Sequence, residues 1–394
     1  MSALLEKALA TMAERKLAGS DNAVLLMVSG GSDSTALAYL ADEMREAGAI
    51  GALAMLHVNH KLRGQAADDD ARFVSELAAA LHIPLFMCEI DIAREAERTN
   101  GNVEAIARRE RYLAANEALR SVCHHEAFPL ADGRIFTAHT ADDRVENFYM
   151  RSIVGTGPGG FRSMLYANGP VVRPLLDASR EELRDYVRER EQAGKLVVCD
   201  AEGHLWREDA TNAHTDRFRA YVRHEIVPRA KERNPQLLDV LTRSMNLIAD
   251  EDDMLDGMAD DLIARCVKWE EESEMWGIDP SEGFRLLPEF GAAPLPLQRR
   301  AVFSLIGRML GSDARVETAS VEAVLAGFER VDAAAVADDA ASTDSADPSN
   351  PSEAGVRPKS GYVTNIQGDL AVSANKQGVL VEPMSRFRAR RKRV

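Results

Sequence analysis

Residues 23–34 read AVLLMVSGGSDS. Ala23 to Val28 form an unbroken apolar run of strand length, Ser29-Gly30-Gly31-Ser32-Asp33-Ser34 follow at once, and a helical stretch runs from about Ser34 to Glu46. An apolar run without alternation is a strand buried on both faces, as in parallel sheets covered by helices. Two glycines let the backbone turn tightly, the helix N-terminus adds partial positive charge, and the hydroxyls of Ser29, Ser32 and Ser34 can donate to phosphate oxygens. The loop falls at the carboxyl end of a parallel strand, where open α/β sheets take their ligands. It is not a Walker A loop, because no Lys follows the glycines, and not a dinucleotide fingerprint, because GxGxxG is absent.

The same strand-loop-helix pattern continues outward. Strands are expected at Ile50 to Val58, Pro84 to Ile90 and Arg134 to His139, and helices at Asp68 to Leu81, Val103 to Val122 and Ala141 to Ile153. An amphipathic helix opens the chain and stops near Gly19. After Gly160 strands become rare, with helices expected at Ser179 to Gln192, Thr215 to Ala230, Gln236 to Glu270 and Leu297 to Leu310. Val331 to Pro358 is rich in Ala, Ser, Asp and Pro without an aromatic residue, a solvated linker that cannot bury enough surface to order itself. Two or three short strands around Gly368 and Gly378 precede a basic run, RFRARRKRV. The expected fold class is therefore α/β: a parallel-sheet nucleotide-binding domain, then a mostly helical domain and a short C-terminal segment. The expected divisions are an N-terminal helix (1–20), a catalytic domain (21–235), a helical substrate-binding domain (236–330), an acidic linker (331–358) and a C-terminal segment with a basic tail (359–394).

The 394 residues carry 48 Lys+Arg against 63 Asp+Glu, a formal charge of −15, which excludes a protein that coats nucleic acid through bulk charge. Part of that charge lies in the linker, at Asp332, Asp338, Asp339, Asp344, Asp347 and Glu353. The four cysteines, Cys88, Cys123, Cys199 and Cys266, are far apart and lack zinc spacing, so they read as small hydrophobes in a reducing compartment. Glu6 and Glu14 interrupt the first apolar periodicity and no run approaches the roughly 20 residues of a membrane span, so the expected location is cytoplasmic, with no membrane partner.

Five further stretches bear on the chemistry. His57-Val-Asn-His60 could bind metal but has no third ligand nearby, which favours hydrogen bonding. Arg108, Arg111 and Tyr112 share one helix face and suit phosphate and base contact, or else form a solvated face paired with Glu104. In Thr137-Ala-His139-Thr-Ala-Asp142-Asp143-Arg-Val-Glu146, Asp143 and Glu146 project together from a first helical turn, where two carboxylates could hold an ammonium group; Asp142 could be only a cap. The glycine-rich loop 155–160 is either flexible backbone that approaches a substrate or an interdomain hinge. Arg219 and Arg223, at i and i+4, form a nucleotide or RNA phosphate clamp or pair with neighbouring acids, and Arg173 to Leu176 with Arg180 precede them in the chain.

SGGSDS resembles the signature of the PP-loop ATP pyrophosphatase superfamily, and the ordered motifs over about residues 20 to 250 resemble the tRNA(Ile)-lysidine synthetase family. The resemblance implies that lysine is joined to C2 of the wobble cytidine (position 34) of a CAU-anticodon tRNA(Ile), by way of an adenylated cytidine, with ATP giving AMP and pyrophosphate. It implies ATP binding by Ser29, Gly30, Gly31, Ser32, Asp33 and Ser34, and Mg²⁺ held by Asp33 through the phosphates. It also implies lysine binding by Asp143, Glu146 and His139, and tRNA or nucleotide contacts from Arg108, Arg111 and Arg223. Arg219 would balance charge on the adenylated intermediate, and Asp33, Asp143, Glu146 and Arg219 would carry the chemistry. The implied partners are the tRNA and free L-lysine; a homodimer is left open. The chain departs from the family in having Ala220 after Arg219, Arg217-Phe218 before it, and Thr140 where many members have a second His. The family's final acceptor-stem domain is expected to be reduced, with the tail from Arg386 to Arg393 either adding tRNA affinity or remaining disordered. The competing readings are a tRNA thiolase, which commonly needs paired cysteines, an amidotransferase-type enzyme, which needs a glutaminase, and a non-catalytic tRNA-binding paralogue.

Overall fold

Parallel pairing of the apolar runs builds the first part of the chain. A computed structural model describes residues 2–61, 64–99, 101–208, 218–270, 272–273, 277–311, 315–330 and 356–391. The chain divides into two compact units, Met1–Ala249 and Asp250–Val394.

In the first unit, α1 (Ala3–Glu14) precedes β1 (Ala23–Met27), α2 (Ser32–Glu46), β2 (Leu53–Asn59), α3 (Gln65–Ala80), β3 (Leu85–Glu89), α4 (Ile92–Thr99), α5 (Val103–His125), β4 (Gly133–Phe136) and α6 (Ala141–Val154). The short strands β5 (Ala167–Asn168) and β6 (Val171–Val172) then lead into α7 (Arg180–Gln192). The sheet order is β3-β2-β1-β4-β6-β5, parallel except for the last pair. From β1 the chain winds outward through β2 and β3, then α5 carries it back to β4 on the other side of β1. The order reverses between β1 and β4, and ligands of open α/β sheets bind in the crevice beyond the strand ends at such a point. The loops after β1 and β4 both open there. Leu26 and Phe136 face a core with Leu37, Leu40 and Val187, while Leu25 and Ile135 face another with Ala115 and Leu119, so both sides of the sheet are covered. The unbroken apolar character of β1 follows from this double burial.

The fold class expected from the sequence holds. The chain stays helical through α8 (Phe218–Tyr221), a π-helical turn over Val222–Ile226, α9 (Val227–Arg233) and α10 (Leu237–Cys266). The compact units divide within α10, not at the expected 235/236. The first half of α10 places Leu237 and Met245 in a core with Val145 and Val222, and its second half places Leu262, Ile263 and Cys266 in another. The expected continuation of this helix to Glu270 gives way to a strand, Val267–Trp269.

That strand belongs to a five-stranded antiparallel sheet with Phe284–Leu286, Gly378–Pro383, Leu370–Asn375 and Val363–Ile366. Residues 359–391 are therefore built into the second unit instead of forming a separate segment, because Val372, Val379 and Val381 share a core with Phe284, Leu305 and Ile306. Part of the basic tail is helical, Met384–Arg391, with Met384 and Phe387 buried. Its Arg386 meets Glu282 and its Arg390 meets Glu382. The linker reading falls mostly on residues 331–355, and Arg217, Lys392 and Arg393 also lie outside the described residues. No helix among the described residues is long and apolar enough to cross a membrane.

Candidate functional site

The loop between β1 and α2 is held by one hydroxyl. Ser34 Oγ accepts from the backbone N–H groups of Ser29 and Gly30, each at 3.2 Å, and donates to Gly31 O at 3.1 Å. The sequence expectation that all three serines are free to donate to phosphate is thus modified: Ser34, buried in the turn, shapes it. Gly30 takes φ +91°, a conformation that favours glycine, whereas Gly31 has an ordinary φ of −70° as the N-cap of α2. Its N-cap Gly31 has no side chain to cap it, so among the described residues the first N–H groups of the helix remain available to an anion. Ser32 Oγ donates to Asp33 Oδ1 at 2.9 Å.

After β4, Thr140 caps α6 in a reciprocal box with Asp143. This uses Asp143 Oδ2, which accepts from Thr140 N at 2.9 Å, and turns Oδ1 toward the crevice. Thr140 therefore has a local structural job at the start of α6. Glu146, one turn on, is 2% exposed. Asp142 turns away from its own helix; it accepts from the backbone N–H of Arg180 at 2.8 Å and from Lys231 at 3.0 Å.

Three arginines converge on these carboxylates. Arg180, the first residue of α7, reaches Asp33 Oδ2 at 3.2 Å, Asp143 Oδ1 at 3.0 Å and Glu146 Oε1 at 3.4 Å. Arg219 reaches Asp143 Oδ1 at 2.8 Å and Glu146 Oε2 at 2.9 Å. Arg223 holds Glu146 through contacts of 2.7 and 3.1 Å. Among the described residues Arg219 and Arg223 are therefore paired with distant acids across the crevice and not with neighbours on their own helix. Three carboxylates face three guanidiniums, which balances the charge of the cluster.

Burial works against the charge on Asp143, but Arg180, Arg219 and neighbouring groups outweigh it and hold its carboxyl below the usual range. At Asp33 burial wins over Arg180, and the nearby Asp143 adds to it, so this carboxyl sits above its ordinary value. Burial disfavours the charged form of Arg180 too, yet Asp143, Asp33 and Glu146 reverse the effect and raise it. His139 is pushed down to about 4, first by burial and then by the fields of Arg173, Arg219 and Arg108, despite Asp143. It is a neutral ring near pH 7, with Nδ1 2.9 Å from Thr137 Oγ1.

The structure brings Asp33, His139, Asp143, Glu146, Arg219 and Arg223 together and places Arg108 within electrostatic reach of His139. Arg108 lies over the Tyr112 ring and is exposed, while Arg111 turns to His60 at 3.2 Å. His57 bonds Val28 O through Nδ1 at 2.9 Å, so the HxxH pair divides between two hydrogen-bonding tasks and makes no shared metal site. Arg180 is the main residue that the sequence reading named without giving it a role. Its signal was the Ser179-x-x-Glu182 capping box, which fixes α7 to start with Arg180 facing the acids. Arg144, fully buried on the far side of α6, was likewise given no role; it meets Tyr166 at 3.1 Å and Asn246 at 2.9 Å and so fixes the helix that bears the carboxylates.

A family model of the PP-loop domain matches residues 2–230. Among curated proteins, the tRNA(Ile)-lysidine synthase of Geobacter sulfurreducens is 32% identical over 269 residues, which cover 68% of this chain and 52% of that protein. A tRNA(Ile)-lysidine synthase of Thermus thermophilus is 35% identical over 290 residues, 73% of this chain and 49% of that one. The chain thus spans about half the length of the curated relatives it matches. Among solved structures, the U34-tRNA thiolase NcsA from Methanococcus maripaludis aligns at a TM-score of 0.46 with 17% identity, covering 63% of this chain and 78% of that one.

Proposed function

The chain belongs to the PP-loop domain family, and on that premise we propose that it is an ATP-dependent tRNA-modifying ligase that joins lysine to the wobble cytidine of a CAU-anticodon tRNA(Ile). The observation that carries the reading is Arg180 bridging Asp33 on the phosphate loop to Asp143 and Glu146 on the neighbouring loop and helix. An ATP end and an ammonium end lie within one side chain's reach. The similarity to proteins named tRNA(Ile)-lysidine synthase supplies the substrates.

ATP binds with its phosphates on the N–H groups of the Ser29–Ser34 loop and the α2 N-terminus. Asp33, a hard oxygen donor in the first turn of α2, fits Mg²⁺ held jointly with phosphate oxygens, which would neutralise their charge. In the first step the C2 oxygen of cytosine bonds to the α-phosphorus, the bond to the β-phosphate oxygen breaks, and pyrophosphate leaves. In the second the lysine ε-amine attacks C2, the C2–O bond breaks with AMP leaving, and the amine loses its proton. Asp143 and Glu146 receive the lysine ammonium and help remove that proton. His139, neutral at working pH, adds no competing charge beside the amine. The ammonium must displace a guanidinium from the two carboxylates. Arg219 is the most exposed of the three, at 44%, and once displaced it can balance charge on the adenylated intermediate. Arg108, Arg111 and Arg223 offer cations to the nucleotide or RNA phosphates.

Purified protein incubated with ATP, Mg²⁺, labelled lysine and CAU-anticodon tRNA should transfer label to RNA, and Asp143→Asn or Glu146→Gln should abolish transfer. Absence of transfer by the unaltered protein would reject the function.

A further inference from the structure

Three arginines line one face of α7 at i, i+4 and i+8: Arg180, Arg184 and Arg188. Arg180 is neutralised by three carboxylates, and Arg188 meets Asp185 at 2.9 Å. Arg184, between them, makes no ion pair among the described residues. Its Nε instead points at Ser32 Oγ, 3.5 Å away in the phosphate loop. Its guanidinium lies over the Trp206 ring with 6.0 Å between its carbon and the ring centroid, and Arg188 lies over the same ring at 5.6 Å. The segment that bears Trp206 is tied to the loop, because Arg207 N donates to Gly30 O at 2.9 Å. An aromatic ring thus supports an uncompensated guanidinium beside the mouth of an uncapped helix.

A planar guanidinium without a carboxylate, propped on an aromatic face, matches phosphate oxygens well. We infer that Arg184 is a phosphate-binding residue that takes the β- and γ-phosphates of ATP and then the departing pyrophosphate. This rests on the reading of the Ser29–Ser34 loop as the ATP site, and it adds a cation from α7 that the loop motif does not contain. Arg180 divides its charge among Asp33, Asp143 and Glu146, whereas Arg184 keeps its charge for the ligand. The nucleotide's α-phosphate and base lie outside its role, so its removal should discriminate among ligands by their terminal phosphates.

The test is calorimetric binding of ATP, inorganic pyrophosphate and AMP, each with Mg²⁺, to the full chain and to Arg184→Gln, Arg184→Lys and Arg188→Gln. Arg184→Gln should weaken ATP and pyrophosphate about tenfold, the scale of one charge-assisted hydrogen bond, and leave AMP within twofold. Arg184→Lys should fall between, and Arg188→Gln, which also loses stacking on Trp206, should bind all three as the unaltered protein does. If Arg184→Gln binds ATP and pyrophosphate normally, or loses AMP equally, the residue only packs on Trp206 and the inference is overturned. If the unaltered protein binds neither ATP nor pyrophosphate, the inference falls together with the ATP-site reading.

Discussion

Glu146→Gln is the most searching test of the charge cluster. Glu146 is 2% exposed and takes contacts from Arg180, Arg219 and Arg223 at 2.7 to 3.4 Å. The amide keeps the shape but removes the charge, so three guanidiniums crowd a site with only Asp33 and Asp143 left to balance them. Breaking a buried ion pair by removing one partner costs about 3–5 kcal/mol. Arg219 is 44% exposed and Arg223 26%, so water partly recovers them and the loss should fall at the lower end, about 3 kcal/mol. With Trp269 and Trp276 replaced by Phe, Trp206 alone reports unfolding of the first unit in urea. At a slope of about 3 kcal/mol per molar, the midpoint should drop by about 1 M. The double variant Glu146→Gln/Arg223→Gln should lose less than the sum of the two single variants, because it also removes an orphaned cation. A loss below about 1 kcal/mol in the single variant, or strict additivity in the double, would refute the account of Glu146 as the shared anchor.

Arg219→Gln should strengthen lysine binding by the free protein about fivefold while slowing turnover, since a partly exposed competitor worth about 1 kcal/mol leaves the carboxylates; weaker lysine binding in calorimetry would count against displacement. His139 has a folded pKa of about 4 against roughly 6.5 unfolded, so the unfolded chain binds more protons between those values. Its stabilising contribution is then whole above pH 6.5 and fades as pH falls toward 4, and His139→Gln should flatten that part of a urea-midpoint profile measured from pH 7 to 5. An unchanged slope would exclude His139 as its source. Gly51→Ala, far from the chemistry, should cost about 1–3 kcal/mol in the same unfolding assay, because the added carbon meets Phe128 Cζ at 2.6 Å and Ser20 O at 2.7 Å. Wild-type stability there would mean that the strand entrance yields easily.

The parallel sheet was legible because strands buried on both faces must be apolar at every position, and AVLLM satisfies that without help from distant residues. The phosphate loop was legible for a similar local reason: its geometry depends on Gly30, Ser34 and the start of one helix, all within five residues. The pairing of Asp143 with Glu146 followed from helical spacing alone.

Long-range partners were not legible. Arg180 lies 147 residues from Asp33 and only the fold brings their charges within hydrogen-bond reach. The second unit was underread because Val267–Trp269 and Phe284–Leu286 are three-residue strands, too short for a period to declare itself; they pair with each other, and Phe284–Leu286 takes its other ladder partner from distant residues 379–381. The sequence by itself determined which local turns and helices present hydroxyls, N–H groups and carboxylates. Only the tertiary structure decided which cations meet those acids, and that Arg184 meets none among the described residues, because charge pairing depends on distances in space that chain spacing does not encode.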